Sequence, residues 1–259
     1  MENENFVKNS KLAVTGILNG IFGSIVYEII IILIFTTIVT TLVTTANPEA
    51  TQEELSALAK LKYDSSAYPV LAACLTQVVT LAVFGFIYSF NTIKKLLMKA
   101  FNLNTLKYGC IGVGAIFVFS VIYNLLIILP LGLGMGGNAN QEGVVKLVSN
   151  NLVLGFIWVV LLAPFAEELT YRYSLFGAFI KKKKWVAYAM SGLVFMLMHS
   201  VSSFLSVGFS KELLSELVYL PPYLFSGLVL CYVYDKTNNI GSSFIAHVLN
   251  NLISFLGML

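Results

Sequence analysis

Three short stretches of the chain combine residue types that can move protons. Glu167-Glu168-x-x-x-Arg172 closes an apolar run that begins at Leu152, and Phe195-x-x-x-His199 and His247-x-x-x-Asn251 lie inside two later apolar runs. The 259-residue chain has one arginine, Arg172, and two histidines, and all three fall in these stretches. A charge inside a membrane-spanning segment costs about 2.5–3.5 kcal/mol on insertion scales, so by default it marks a functional site. Glu168 and Arg172 are four apart, share a helix face and can pair. Glu167 is turned about 100° from Glu168 and points elsewhere. One carboxylate can therefore be neutralised while the other stays available. His199 shares a face with Phe195, and His247 with Asn251; Asn250 is one position off that face. A carboxylate and an imidazole converging on one water can take its proton and aim it at a carbonyl. A second imidazole and a carboxamide are suitable donors to the oxyanion that develops. No serine or cysteine nucleophile is needed.

The elements that position these residues are apolar helices. Hydrophobic residues make up 58% of the chain and charged residues 11%, with a mean hydropathy of +0.83; an ordinary soluble domain carries about 25% charged residues. Runs of roughly twenty apolar residues recur, as a hydrocarbon core about 30 Å thick requires. The short alternating segments of a barrel are absent. The expected class is all-α, a polytopic transmembrane helical bundle of about seven, or eight, membrane helices. The segments are Ile21 to Thr45, Tyr68 to Phe90, Gly109 to Leu133, Asn150 to Phe165 with helical pattern continuing to Ile180, Trp185 to Leu205, Leu217 to Tyr234, and Ile240 to Leu259. Pro164 is placed to kink the fourth.

Asn47-Pro48-Glu49 reads as the start of a short amphipathic helix near 48–62 outside the bilayer. Lys94 to Lys107 reads as a basic loop, Gly132 to Gly143 as a flexible one, and the stretch around Lys211, Glu212 and Glu216 as a short one. The first apolar run is too long for a signal-peptide core and reads as retained. Residues 1–149 form an N-terminal part with helices one to three, and 150–259 a core with helices four to seven. Cys74, Cys110 and Cys231 are scattered through apolar segments and read as small filler, with neither a disulfide framework nor a thiolate metal site. Glu28, Gln77 and Asn124 read as helix-pairing groups.

The lysines orient the bundle. With the N-terminus cytoplasmic and seven alternating segments, inside loops hold eleven lysines and outside loops four; the positive-inside rule selects this arrangement. Lys181 to Lys184 is an orientation signal with some attraction to anionic lipid. Counted from the helix ends, the site lies below the surface and nearer the cytoplasmic side, with His199 about 21 Å along its segment and deeper than the other groups.

The three stretches, in this order and each on a hydrophobic segment, resemble the three motifs of the CPBP family of intramembrane proteases, the CAAX-protease and bacteriocin-processing or Abi group. The resemblance covers about Asn150 to Leu259. It implies Glu167 and His199 as the pair activating water, His247 and Asn251 as oxyanion donors, Glu168 with Arg172 as support, and Phe195 packed near His199. The implied activity is endopeptidase cleavage of a hydrophobic peptide or membrane-protein substrate, without a nucleic-acid partner. Water activation without a metal is the favoured reading, so no cofactor is expected; zinc on Glu167, His199 and His247, with one open position, is the alternative. The expected setting is a bacterial plasma membrane, and oligomeric state is not specified. The rival functions are a non-catalytic bacteriocin-immunity or interaction protein on the same scaffold and a proton-coupled transporter.

Overall fold

A computed structural model describes residues 10–133, 138–180, 183–207 and 212–259. The helices are α1 (Ser10–Ala46), α2 (Gln52–Asp64), α3 (Tyr68–Tyr88), α4 (Phe90–Ala100), α5 (Leu103–Ile128), α6 (Ala139–Asn150), α7 (Leu152–Ile180), α8 (Lys184–Val207), α9 (Glu212–Val218), α10 (Leu220–Thr237) and α11 (Ile240–Leu256). No strand occurs among the described residues. The protein is an all-α polytopic helical bundle. Five described stretches are long and apolar enough to cross a membrane: α1, α3, α5, α7 and Ser215–Thr237. The 24-residue α8 and the 17-residue α11 occupy the places of the other two expected segments. The number of crossings remains an expectation.

α7 is the central element. α1, α3, α8, α10 and α11 all pack against it. One aromatic core cluster gathers Tyr88, Tyr173, Phe176, Tyr234 and Ile240 at the lysine-bearing end of the bundle. A second joins Ile116, Tyr171, Phe195, Leu230 and Ala246 at mid-depth. α8 and α10 approach closely at Gly192 and Gly227, where an added Cβ on Gly227 would lie 3.1 Å from the Gly192 Cα. Small residues at such a crossing let backbones meet without a hydrophobic driving force in lipid.

Several local expectations are corrected. Tyr88 ends α3, because Ser89 takes φ 68° and its side chain accepts from the Thr92 amide, which starts a new helix. The expected basic loop is thus largely the amphipathic α4. It buries Leu96 and Ala100 and exposes Phe90, Met98, Lys94, Lys95 and Lys99. Asn138 caps α6 within the stretch read as flexible, and α9 replaces the expected loop after Lys211. Met1, Lys8, Lys181, Lys182, Lys211 and 134–137 lie outside the described residues. Cys74 and Cys231 are buried, whereas Cys110 is exposed on α5.

At 37 residues α1 is about 55 Å long, well beyond a hydrocarbon core. Its end pairs with α2 through Val39, Val43, Leu55 and Ala59. The signal that starts α2 is Thr51 rather than Asn47. Thr51 Oγ1 accepts from the Glu54 amide while Glu54 Oε2 accepts from the Thr51 amide at 2.8 Å, a reciprocal capping box. The backbone bond, followed by the hydroxyl bond from Thr51, holds the exposed Glu54 carboxyl below its ordinary value. A depressed value means stabilisation that is present above the unfolded pKa and lost as pH falls through the folded one. Relative to intrinsic rates, first-turn amides of α2 should exchange faster as pH falls through that titration, and Glu54→Gln should abolish the step. An identical step in Glu54→Gln would refute the cap as its origin.

Candidate active site

α7 widens where the motif begins. From Glu168 to Phe176 its turns are π-helical, as they are from Ile157 to Leu162 just before Pro164; such local expansions recur at functional sites. Glu168 and Arg172 are fully buried in the bundle interior. Arg172 Nη1 donates to Glu168 Oε1 at 3.0 Å, and Nη2 donates to the Gly227 carbonyl at 3.3 Å. The guanidinium also lies over the Phe195 ring, 4.7 Å from its centroid, so cation–π attraction adds to its restraint. Two buried charges out of water need such a set of partners to persist.

The pair does more than balance charge. His247 Nδ1 lies 2.9 Å from the same Glu168 oxygen. An ionised carboxylate only accepts, so Nδ1 carries the hydrogen. His199 Nδ1 lies 2.8 Å from the Phe195 carbonyl, which likewise only accepts. Both rings are thereby fixed with Nδ1–H inward and Nε2 outward. The two Nε2 atoms each lie 3.7 Å from Glu167 Oε2. That oxygen is buried with no hydrogen-bond partner, and the Glu167 side chain is 24% exposed. Two imidazole acceptors and a carboxylate oxygen therefore face one another slightly beyond hydrogen-bond range. A water held there can give one hydrogen to the carboxylate oxygen and the other to one of the two imidazole nitrogens.

Asn251 reaches the same cavity, of about 320 Å³, which Glu167, His199 and His247 line. Its Nδ2 donates to the Val159 carbonyl at 2.9 Å. Pro164 explains why that carbonyl is free. In the widened turn Ala163 N–H bonds the Trp158 carbonyl, five residues back. The next donor in that register would be Pro164, which has no N–H. Asn251 takes its place and keeps one amide hydrogen in reserve.

The structure thus brings together Glu167, His199, His247 and Asn251, with Glu168, Arg172 and Phe195 around them. The depth mismatch expected for His199 does not occur. α11 begins against the end of α4, where Asn239 Nδ2 donates to the Lys99 carbonyl at 2.8 Å and Ile240 is 2% exposed, and the Nε2 atoms of His199 and His247 both lie 3.7 Å from Glu167 Oε2. The cavity opens away from the lysine-bearing end. Tyr88, Tyr173, Phe176 and Tyr234 fill that end, whereas Trp158, Ser254, Asn140 and Tyr223 line the cavity toward the other.

Tyr223 is the neighbour that sequence reasoning missed. Its ring stacks on His199 at 5.1 Å between centroids, and its hydroxyl accepts from Asn138 and Asn140. The Pro221-Pro222 helix start before it was the one available signal.

Zinc would need three converging donors. Among the described residues no group of three His, Cys, Asp or Glu side chains could hold a metal ion. The spacing about Glu167 thus gives zinc no particular support, and the choice is left to experiment.

Comparison with known proteins places the same stretch. Residues 149–253, which contain Glu167, Glu168, Arg172, Phe195, His199, His247 and Asn251, match the family described as Rce1-like, type II CAAX prenyl endopeptidase. The UPF0177 protein YxdF of Lactococcus lactis subsp. lactis is 34% identical over 116 residues, 45% of this chain and 54% of that protein. An uncharacterized protein of Mycoplasma capricolum subsp. capricolum is 26% identical over 203 residues, 73% of this chain and 55% of that protein. The chain spans about half the length of these curated relatives. No solved structure matches it.

Removing one partner of a buried ion pair strands the other. Arg172→Met and Glu168→Leu should each cost about 3–5 kcal/mol in thermal unfolding of the purified protein. The double variant should cost clearly less than the sum of the two. Additive losses would contradict the pairing.

Proposed function

We propose that this integral multi-pass membrane protein, whose residues 149–253 match the Rce1-like family, is an intramembrane endopeptidase of the CPBP type. The observation that carries the reading is the convergence of both Nε2 atoms on the partnerless Glu167 Oε2. A water held there gives one hydrogen to Glu167 and the other to the His199 Nε2 lone pair. Its oxygen attacks the scissile carbonyl carbon as Glu167 takes the proton. The carbonyl oxygen becomes an oxyanion facing His247 and the spare amide hydrogen of Asn251. Because Glu168 already holds the His247 Nδ1 hydrogen, Nε2 can donate only from an imidazolium. Collapse of the tetrahedral adduct breaks the C–N bond, and the departing amine takes the proton that Glu167 received.

The setting that fits is a bacterial plasma membrane, as the sources of the relatives suggest. The substrate class is a membrane-associated or hydrophobic peptide. We take the hydrolysis to be metal-independent, with zinc on Glu167, His199 and His247 as the alternative that chelation tests.

Purified protein incubated with a candidate hydrophobic peptide tests this. Glu167→Gln, His199→Ala and His247→Ala should each lower cleavage at least about 10²-fold, while thorough chelation leaves the wild type active. Cleavage that survives all three substitutions sinks the hydrolytic assignment. Activity lost on chelation and restored by zinc would reassign Glu167, His199 and His247 as ligands. Absence of cleavage by any form, with protection of cells against a bacteriocin intact in Glu167→Gln, would favour the non-catalytic immunity reading.

A further inference from the structure

The catalytic cavity does not end at Asn251. It shares Ser120, Gln141, Tyr223 and Ser254 with an adjoining cavity of about 570 Å³ that reaches Asn124 and Asn138. These residues come from the second half of α5, the start of α6, the start of α10 and the end of α11. All four places lie at the end of the bundle opposite Lys11, Lys94, Lys95, Lys107, Lys183 and Lys236. In the lysine direction the way is closed by Tyr88, Tyr173, Phe176 and Tyr234, each at most 6% exposed. Among the described residues, Glu167 is the one acidic side chain lining the joined cavities, and no lysine or arginine lines them.

From this we infer that the substrate reaches the site from the extracytoplasmic face, as an extended and uncharged stretch of peptide. The face follows from the lysine asymmetry. The class follows from the lining. An extended strand in a cavity at membrane depth carries backbone N–H and C=O groups that its own helix does not satisfy, and they must find partners. Asn124, Gln141, Ser120 and Ser254 offer neutral donors and acceptors along the route. A glutamate side chain in that strand would be desolvated without a counter-charge, and a lysine would find one only at Glu167, at the inner end of the route. The term substrate rests on the hydrolytic reading; the route and its chemistry do not.

The test therefore reads accessibility and binding rather than cleavage. In a Cys110→Ser background, Gln141→Cys or Ser120→Cys places a thiol in the cavity, and Lys95→Cys places one on the lysine face. Sealed right-side-out and inverted membrane vesicles are treated with a membrane-impermeant maleimide. The cavity thiols should label from the outside and Lys95→Cys from the inside. Labelling of cavity and lysine-face thiols from the same side would overturn the route. A synthetic uncharged Ser/Ala peptide added outside should slow labelling of Gln141→Cys severalfold, and the same peptide with central lysines should not. Equal protection by both peptides, or by neither, would overturn the substrate class. Both position variants are used so that misfolding of one leaves the other as readout.

Discussion

The site depends on one buried carboxylate oxygen. Glu168 Oε1 accepts from Arg172 and from His247 together, at 3.0 and 2.9 Å. The first bond makes the charge tolerable inside an apolar bundle, and the second turns that charge into a rule about where a proton sits. With Nδ1–H committed to Glu168, His247 can present only Nε2 to the cavity. His199 reaches the same condition through a neutral partner, the Phe195 carbonyl. Phe195 also stacks its ring against His199 and lies under the Arg172 guanidinium. The two adjacent glutamates thus divide the work: Glu168 fixes the donor side of a ring, and Glu167 meets its outward nitrogen.

The surrounding fold can be understood as what this arrangement requires. α7 must present one glutamate inward and the next into the cavity, and its widened turns accommodate that. Pro164 leaves the Val159 carbonyl for Asn251, so the kinking residue and the carboxamide on a different helix form one device. Close approach at Gly192 and Gly227 brings α10 near enough for its carbonyl to hold Arg172. α4 covers the start of α11 so tightly that a Cβ on Gly241 would meet the Ala100 carbonyl. That start sets the height of His247. Aromatic side chains close the lysine-bearing end, and a polar cavity is left at the other.

Much of the site could be read from residue types and spacing. The sole arginine and both histidines stand out against apolar runs because burying them is costly, and i,i+4 spacing identifies their nearest partners. What spacing does not convey is register between helices. Residue counts from helix ends put His199 deeper than its partners, yet its Nε2 and that of His247 lie equally far from Glu167 Oε2. Tyr223 carries no charge and no motif, and the Pro221-Pro222 helix start before it marks a position on a helix but not a neighbour of His199. The Asn251–Val159 bond was hidden for another reason: it depends on a backbone carbonyl orphaned by a proline on a different helix. α4 reads as a loop in the sequence because three lysines mask an amphipathic pattern that the burial of Leu96 and Ala100 reveals.

The chain has only two histidines, which makes the central claim directly measurable. Nitrogen-15 NMR of the selectively histidine-labelled, folded protein reports the protonation of each imidazole nitrogen. The account requires Nδ1 of both rings to carry a proton in the neutral as well as the charged form, and requires His247 alone to lose that preference in Glu168→Leu. A neutral His247 in the wild type with its proton on Nε2 and a bare Nδ1 would contradict it, because Glu168 would then not be what orients the ring toward Glu167.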